Sequence, residues 1–246
     1  YVPPVISGPN PAVVGRANAY RFTPVGAAVA YEWKRSQLVT GSWVEGAENG
    51  LSSLTVSAST NYSVIDSSVR ASGSASFHLA HPQPADQYIQ LNRVIRPGPD
   101  SELTFASRLG WASTLQIARA QVSTNGGRSW TDVFTRAGTG TSGQTGFVRS
   151  TNSLAAFAGQ ELLVRFAYDY TGVPYYYQTT DGVGFYVDDV AIGSAEELVD
   201  PVISPVVAGN GFSFRPLTAA NYCLRVRAQV GERVLDWGPP IVVRAA

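Results

Sequence analysis

Along most of this chain apolar and polar side chains alternate, in runs such as "LQIARAQVS", "ELLVRFAYDY" and "VGFYVDDVAI". Clusters of Gly, Pro, Asn, Asp or Ser interrupt the alternation roughly every eight to twelve residues. A period of two sends successive side chains to opposite faces of an extended strand, so such strands bury one face against a second sheet. The 246 residues include 24 Gly and 15 Pro, enough for many turns between short strands. The single helix-like piece, "NSLAAFAGQ", reads as a connection before the strand that begins at Glu161. An all-β fold of the sandwich type is predicted.

Two textures divide the chain. Residues 47–197 form a long series of strands joined by Gly- and Ser-rich turns. Residues 1–46 and 198–246 are shorter pieces, each opening on a Pro-rich segment, "YVPPVISGPNP" and "DPVISPVV". Neither flank is long enough to bury a core alone. Together they amount to about ninety-five residues, close to the ~100 of an immunoglobulin-like sandwich. In the first flank, "YEWKR" sets Trp33 where such a sandwich places its buried strand-C tryptophan. In the last flank, Leu217, Tyr222, Leu224 and Val226 resemble the fibronectin type III pattern around a tyrosine corner, in which the Tyr hydroxyl ties down the preceding loop. Two arrangements satisfy this. Either one sandwich is split by insertion of the middle domain, or three consecutive units follow one another, the flanks completed by neighbouring chain.

Composition excludes several function classes. Charged residues are 15% of the chain and the formal net charge is zero, so nothing steers it toward nucleic acid or an anionic membrane. No apolar run reaches membrane-spanning length. With one cysteine, Cys223, no intrachain disulfide exists. The chain contains no methionine, and it is expected to be a mature or excised part of a longer precursor. His78 and His81, in "HLAH", are the only histidines and lack the Glu of a helical zinc-protease motif. A Ser-His-Asp or Cys-His nucleophile therefore has few ways to form.

The middle region reads in order "SASFHLAHPQPADQYIQLNRVIRPGPDSELTFASRLG", "QVSTNGGRSWTDV", "GQELLVRFAYDY" and "GVGFYVDDVAIG". Taken together these segments, over roughly residues 50–195, resemble the jelly-roll module of cleaved-adhesin, MAM and immune-inhibitor-A-type bacterial proteins. The resemblance implies a jelly-roll β-sandwich in a secreted or surface-attached protein, often as an accessory to a protease or adhesin. Its further implication is a structural Ca²⁺ held by an acidic residue of the final strand.

Four stretches are candidates for sites. Ser123, Asn125, Gly127, Ser129 and Trp130 match a pattern resembling an Asp-box; occurring once, it reads as a folding device, with Asn125 and the glycines supplying a tight turn and Trp130 covering its base. In "FYVDDV", Asp188 and Asp189 must face opposite ways, so one of them needs hydrogen-bond donors or a cation. Asp66, Asp169 and Asp181 are possible further ligands for such a metal. In "TGVPYYYQTTDG", Tyr175, Tyr176 and Tyr177 cannot all point inward; with Asp181 they form the expected recognition surface for a sugar ring or a protein partner. The histidine pair is not expected to bind metal.

The expectation is a non-catalytic extracellular or cell-surface module, for adhesion, interaction or support of a neighbouring domain, with a glycan or protein ligand. The alternative is a carbohydrate-binding module using the loop tyrosines. A glycoside hydrolase, requiring two facing carboxylates, is the distant third.

Overall fold

The computed structural model describes residues 1–246. Strands β1 (Ile6–Ser7), β2 (Asn18–Phe22) and β3 (Ala30–Thr40) come first. Then follow β4 (Leu54–Ser57), β5 (Ile65–Asp66), β6 (Ser76–Leu79), β7 (Gln87–Leu91), β8 (Val94–Leu109), β9 (Gln116–Ser123), β10 (Thr131–Ala137), β11 (Val148–Ser153) and β12 (Leu163–Tyr170). The long β13 (Phe185–Pro205) leads to β14 (Gly211–Phe214), β15 (Asn221–Val230), β16 (Arg233–Val234) and β17 (Ile241–Arg244). The fold is all-β, and no helix is long and apolar enough to cross a membrane. The helix-like piece is a short 3₁₀ turn, Ala155–Phe157.

The chain divides into two compact units. One is Tyr1–Thr40 with Glu196–Ala246, the other Gly41–Ala195. The first break falls earlier than residue 46 because β3 runs on to Thr40 and pairs there with Glu196.

In the continuous unit one sheet has the order β10-β9-β12-β7-β4. The other runs β11-β8-β13, and the start of β13 also pairs β6, which pairs β5. Alternation determines what lies between the sheets. Ala118, Ala120 and Val122 of β9 face Val164, Phe166 and Tyr168 of β12 inward, all nearly inaccessible, while Arg119 and Arg165 face out. Phe105 of β8 meets Phe166 edge-on at 4.9 Å and Phe134 at 5.2 Å, tying the sheets together.

The discontinuous unit is also a sandwich. A sheet β1-β2-β14 packs over one built from the end of β13, β3, β15 and β17. Its core holds Tyr20, Phe22, Phe212, Phe214, Leu224 and Val226. The Tyr222 hydroxyl donates to the Thr218 carbonyl at 3.2 Å and lies 2.8 Å from the Thr218 hydroxyl, closing the loop before β15. Leu217, in contrast, is exposed, and Trp33 is half-buried: it stacks on Phe212 at 4.5 Å but also lines an open surface hollow beside Pro205 and Gly211. Cys223 is buried next to the Tyr222 corner.

Candidate binding site

The turn 123–130 satisfies itself. Ser123 Oγ accepts from the Gly127 N–H (2.9 Å) and donates to Asn125 Oδ1 (2.9 Å). Asn125 Oδ1 also accepts from the Ser129 N–H (3.0 Å), and Asn125 Nδ2 donates to Ser129 Oγ (2.7 Å). Gly126 and Gly127 take φ of 73° and 89°, where a side chain would be strained. Trp130 Nε1 donates back to the Gly127 carbonyl at 3.1 Å. One face of Trp130 carries the Arg165 guanidinium, 4.2 Å from the ring and 5.0 Å from that of Tyr88. Sequence patterns did not flag Arg165, because the two rings that hold it come from distant parts of the chain, the turn before β10 and strand β7.

The three consecutive tyrosines divide their roles. Tyr177 is 62% exposed. Tyr175 packs edge-on against Tyr170 at 5.0 Å, and Tyr176 lies 5.5 Å from Trp111. The Tyr176 hydroxyl donates to the Gly140 carbonyl at 3.0 Å. Trp111 itself is 40% exposed, and Val173 is also open to solvent. Trp111 had one sequence signal, an aromatic in the Gly- and Ser-containing connection "RLGWAST". Asp181 is exposed, and its charge acts on His78 and Tyr186.

Beneath the loop, Gln116 is fully buried and acts as a two-way clamp. Its Oε1 accepts from the N–H groups of Tyr176 (2.9 Å) and Ser113 (3.0 Å). Its Nε2 donates to the Tyr176 carbonyl (2.9 Å) and lies 3.0 Å from His81 Nδ1. Because that nitrogen faces an amide donor, His81 Nδ1 is the acceptor and Nε2–H donates to the Tyr168 carbonyl at 2.8 Å. Both histidines sit flat on tyrosines, His81 on Tyr168 at 4.0 Å and His78 on Tyr186 at 4.1 Å. Burial pushes the pKa of each below the ordinary imidazole value. Next to the platform, Gly110, Arg136, Thr139, Thr141 and Gln144 line a hollow of about 440 Å³.

Asp188 and Asp189 part as alternation requires. Asp188 is 0% exposed; its Oδ2 accepts from the N–H groups of Ala71 (2.8 Å) and Ser72 (3.1 Å), and its Oδ1 from that of Asp189 (2.8 Å). Burial raises its pKa, and those donors oppose the rise. Asp189 adopts φ 51°, accepts from Ser72 Oγ at 2.5 Å and lies 3.3 Å from Arg149 Nη2. Two of the further carboxylates have their own partners: Asp66 accepts from the N–H groups of Ser68 and Val69, and Asp169 pairs with Arg119 at 2.6 Å. The acid that does approach Asp188 is Glu48, absent from the sequence-based candidates. A methyl group on Gly46 would lie 2.8 Å from Glu48 Oε2 and 2.9 Å from Asp188 Oδ1, so the two carboxylates close on one backbone carbon.

No protein-family model matches the chain, and no curated protein matches it. Among solved structures it is similar to a cleaved adhesin domain of Lys-gingipain from Porphyromonas gingivalis: 18% identity, 62% of this chain and 99% of that one, TM-score 0.43. It is also similar to a structure described as showing promiscuous specificity of carbohydrate-binding modules from the β-sandwich superfamily: 10% identity, 77% of this chain and 97% of that one, TM-score 0.39. A further likeness is to the glycoside hydrolase domain of Endo-D from Streptococcus pneumoniae, with 12% identity and TM-score 0.36 over 82% of this chain and 36% of that one. The chain thus spans about a third of that last structure. At these identities and scores, no ligand or activity carries over.

Proposed function

We propose that this chain is a non-catalytic recognition module, extracellular or at the cell surface, that meets its ligand through the Trp111–Tyr176–Tyr177 platform. The observation that carries this reading is the clamp on Tyr176. Buried Gln116 fixes the loop backbone from both sides while Trp111 and Tyr177 stay open to solvent. The clamped Tyr176 backbone and the bond from its hydroxyl to the Gly140 carbonyl reduce the freedom this residue has left to lose on binding. The non-catalytic part is supported by the engagement of Asp132, Asp169, Asp188 and Asp189 with arginines or backbone N–H groups. Hydrolysis of a glycoside would need two carboxylates facing each other across a cleft.

A glycan is the second reading for the ligand. It is favoured by the hollow beside the platform, whose Thr139, Thr141 and Gln144 offer hydroxyl and amide groups to sugar hydroxyls. Binding of the full chain to a glycan array and to candidate protein ligands tests both. Trp111→Ala and Tyr177→Ala should each weaken binding by about tenfold with an unchanged melting temperature. Undiminished binding by both variants would remove the platform from the reading.

A structural cation belongs to the same proposal. Glu48 Oε2 and Asp188 Oδ1 both approach Gly46, so these two residues would supply two of the six to eight oxygens that a calcium ion takes. Its role there would be to neutralise two neighbouring carboxylates.

A further inference from the structure

A second concave surface lies on the outer face of β8 and β11. Inward, β8 sends Leu103, Phe105 and Ser107 to the interior. Outward, it presents Ala106, which pairs across to Arg149, and then Arg108 on the same face. The small Ala106 leaves a shallow floor. Around it the connection before β6 brings Arg70, and the connection before β11 brings Phe147. The resulting hollow measures about 540 Å³ and has Asp189 as its one acidic residue.

The arginines are held but not used up. Arg108 Nε donates to the Gln144 carbonyl (3.0 Å), and its guanidinium lies 5.9 Å from the Tyr186 ring. Arg70 donates through Nε to the Gly73 carbonyl (3.1 Å) and through Nη1 to the Ser67 carbonyl. Arg149 reaches Asp189 with Nη2 at 3.3 Å. These bonds fix the stems and leave both Nη groups of Arg108, Nη2 of Arg70 and Nη1 of Arg149 without an acceptor. Three guanidinium groups against one carboxylate, in a chain of zero net charge, concentrate positive charge in one concavity. A guanidinium offers a planar pair of donors that matches a carboxylate. The half-buried Phe147 ring supplies an apolar wall next to those donors, which suits the C–H face of a sugar ring.

We infer that this hollow is an anion subsite for the carboxylate of an acidic sugar, such as a uronate unit of a polysaccharide. The inference rests on the arginine hollow alone and is independent of the aromatic platform. Isothermal titration calorimetry of the full chain with a galacturonate trisaccharide at low salt tests it. The comparison ligands are a neutral galactose trisaccharide, a sulfated galactose trisaccharide and a glutamate tripeptide. The uronate should bind more tightly than all three, and raised salt should weaken it. Arg149→Gln and Arg108→Gln should each weaken it by about tenfold at unchanged melting temperature, because a charge-assisted pair is lost. Tyr177→Ala should leave it unaltered. Equal binding of the neutral sugar, the sulfated sugar or the peptide would overturn the inference, as would no binding of the uronate at all. Parental affinity in Arg149→Gln, an exposed position whose fold is not in doubt, would overturn it as well.

Discussion

A carboxylate removed from water costs several kcal/mol unless donors replace its hydration. Asp188 is 0% exposed and has three backbone N–H groups in that role, from Ala71, Ser72 and Asp189. Asp188→Asn would turn an amide NH₂ toward N–H groups, leaving donors facing donors. It should cost about 1–3 kcal/mol, read as a lower urea midpoint at unchanged slope. If Glu48 and Asp188 hold calcium, EGTA should lower the melting temperature of the parent chain by a few degrees and that of Asp188→Asn by less. An EGTA-insensitive parent chain would leave the N–H donors as the whole account of Asp188. At this scale the sequence reached half the answer. Alternation required one of Asp188 and Asp189 to face inward, but the partners, Ala71, Ser72 and Glu48, lie more than a hundred residues away in the chain.

Between elements, the platform depends on a chain of hydrogen bonds from β12 through His81 and Gln116 to the loop backbone at Tyr176. A proton on His81 Nδ1 would meet the Gln116 Nε2 donor and break that chain. Around His81 stand the rings of Tyr168 and Tyr170, and the charge of Asp86 resists the lowering of its pKa. Both His78 and His81 have folded-state pKa values below the unfolded value of about 6.5, so below that pH the unfolded chain binds more protons. Stability should be fully present above about pH 6.5 and fall as the pH drops toward 5. Asp169 and Asp188, shifted upward by burial, act in the opposite sense. His81→Gln isolates the histidine: its urea midpoint should fall less between pH 7 and pH 5 than that of the parent chain. Equal falls would show that His81 does not carry the dependence. That the three tyrosines could not all point inward was legible in the sequence, whereas their division into one exposed and two packed rings was decided by Gln116, Trp111 and Tyr170.

For the molecule as a whole, the discontinuous unit makes the sharpest demand. Thr40 and Glu196 are cross-strand partners, so the chain leaves and rejoins this unit at the width of a hairpin. Joining Thr40 to Glu196 through an Asn-Gly turn should therefore give a folded sandwich without residues 41–195. The expected signs are cooperative unfolding and a tryptophan fluorescence from Trp33 and Trp237 that changes when the chain unfolds. A chain that stays unfolded would mean that the two segments need the inserted unit to associate. The Pro-rich openings and Tyr222 suggested that the flanks share one sandwich, but a chain of three consecutive units satisfied the same residues.

What the sequence determined by itself was local and periodic. Alternation specified strands and their inward faces, as in Ala118, Ala120 and Val122, because side-chain direction in a strand follows position alone. The Ser123–Trp130 turn was equally legible, since all its bonds fall within a few residues. Tertiary structure decided everything that joins distant strands: Arg165 between Trp130 and Tyr88, Glu48 beside Asp188, and the three arginines around Ala106. Register and connection order place those residues together, and neither is encoded in a two-residue period.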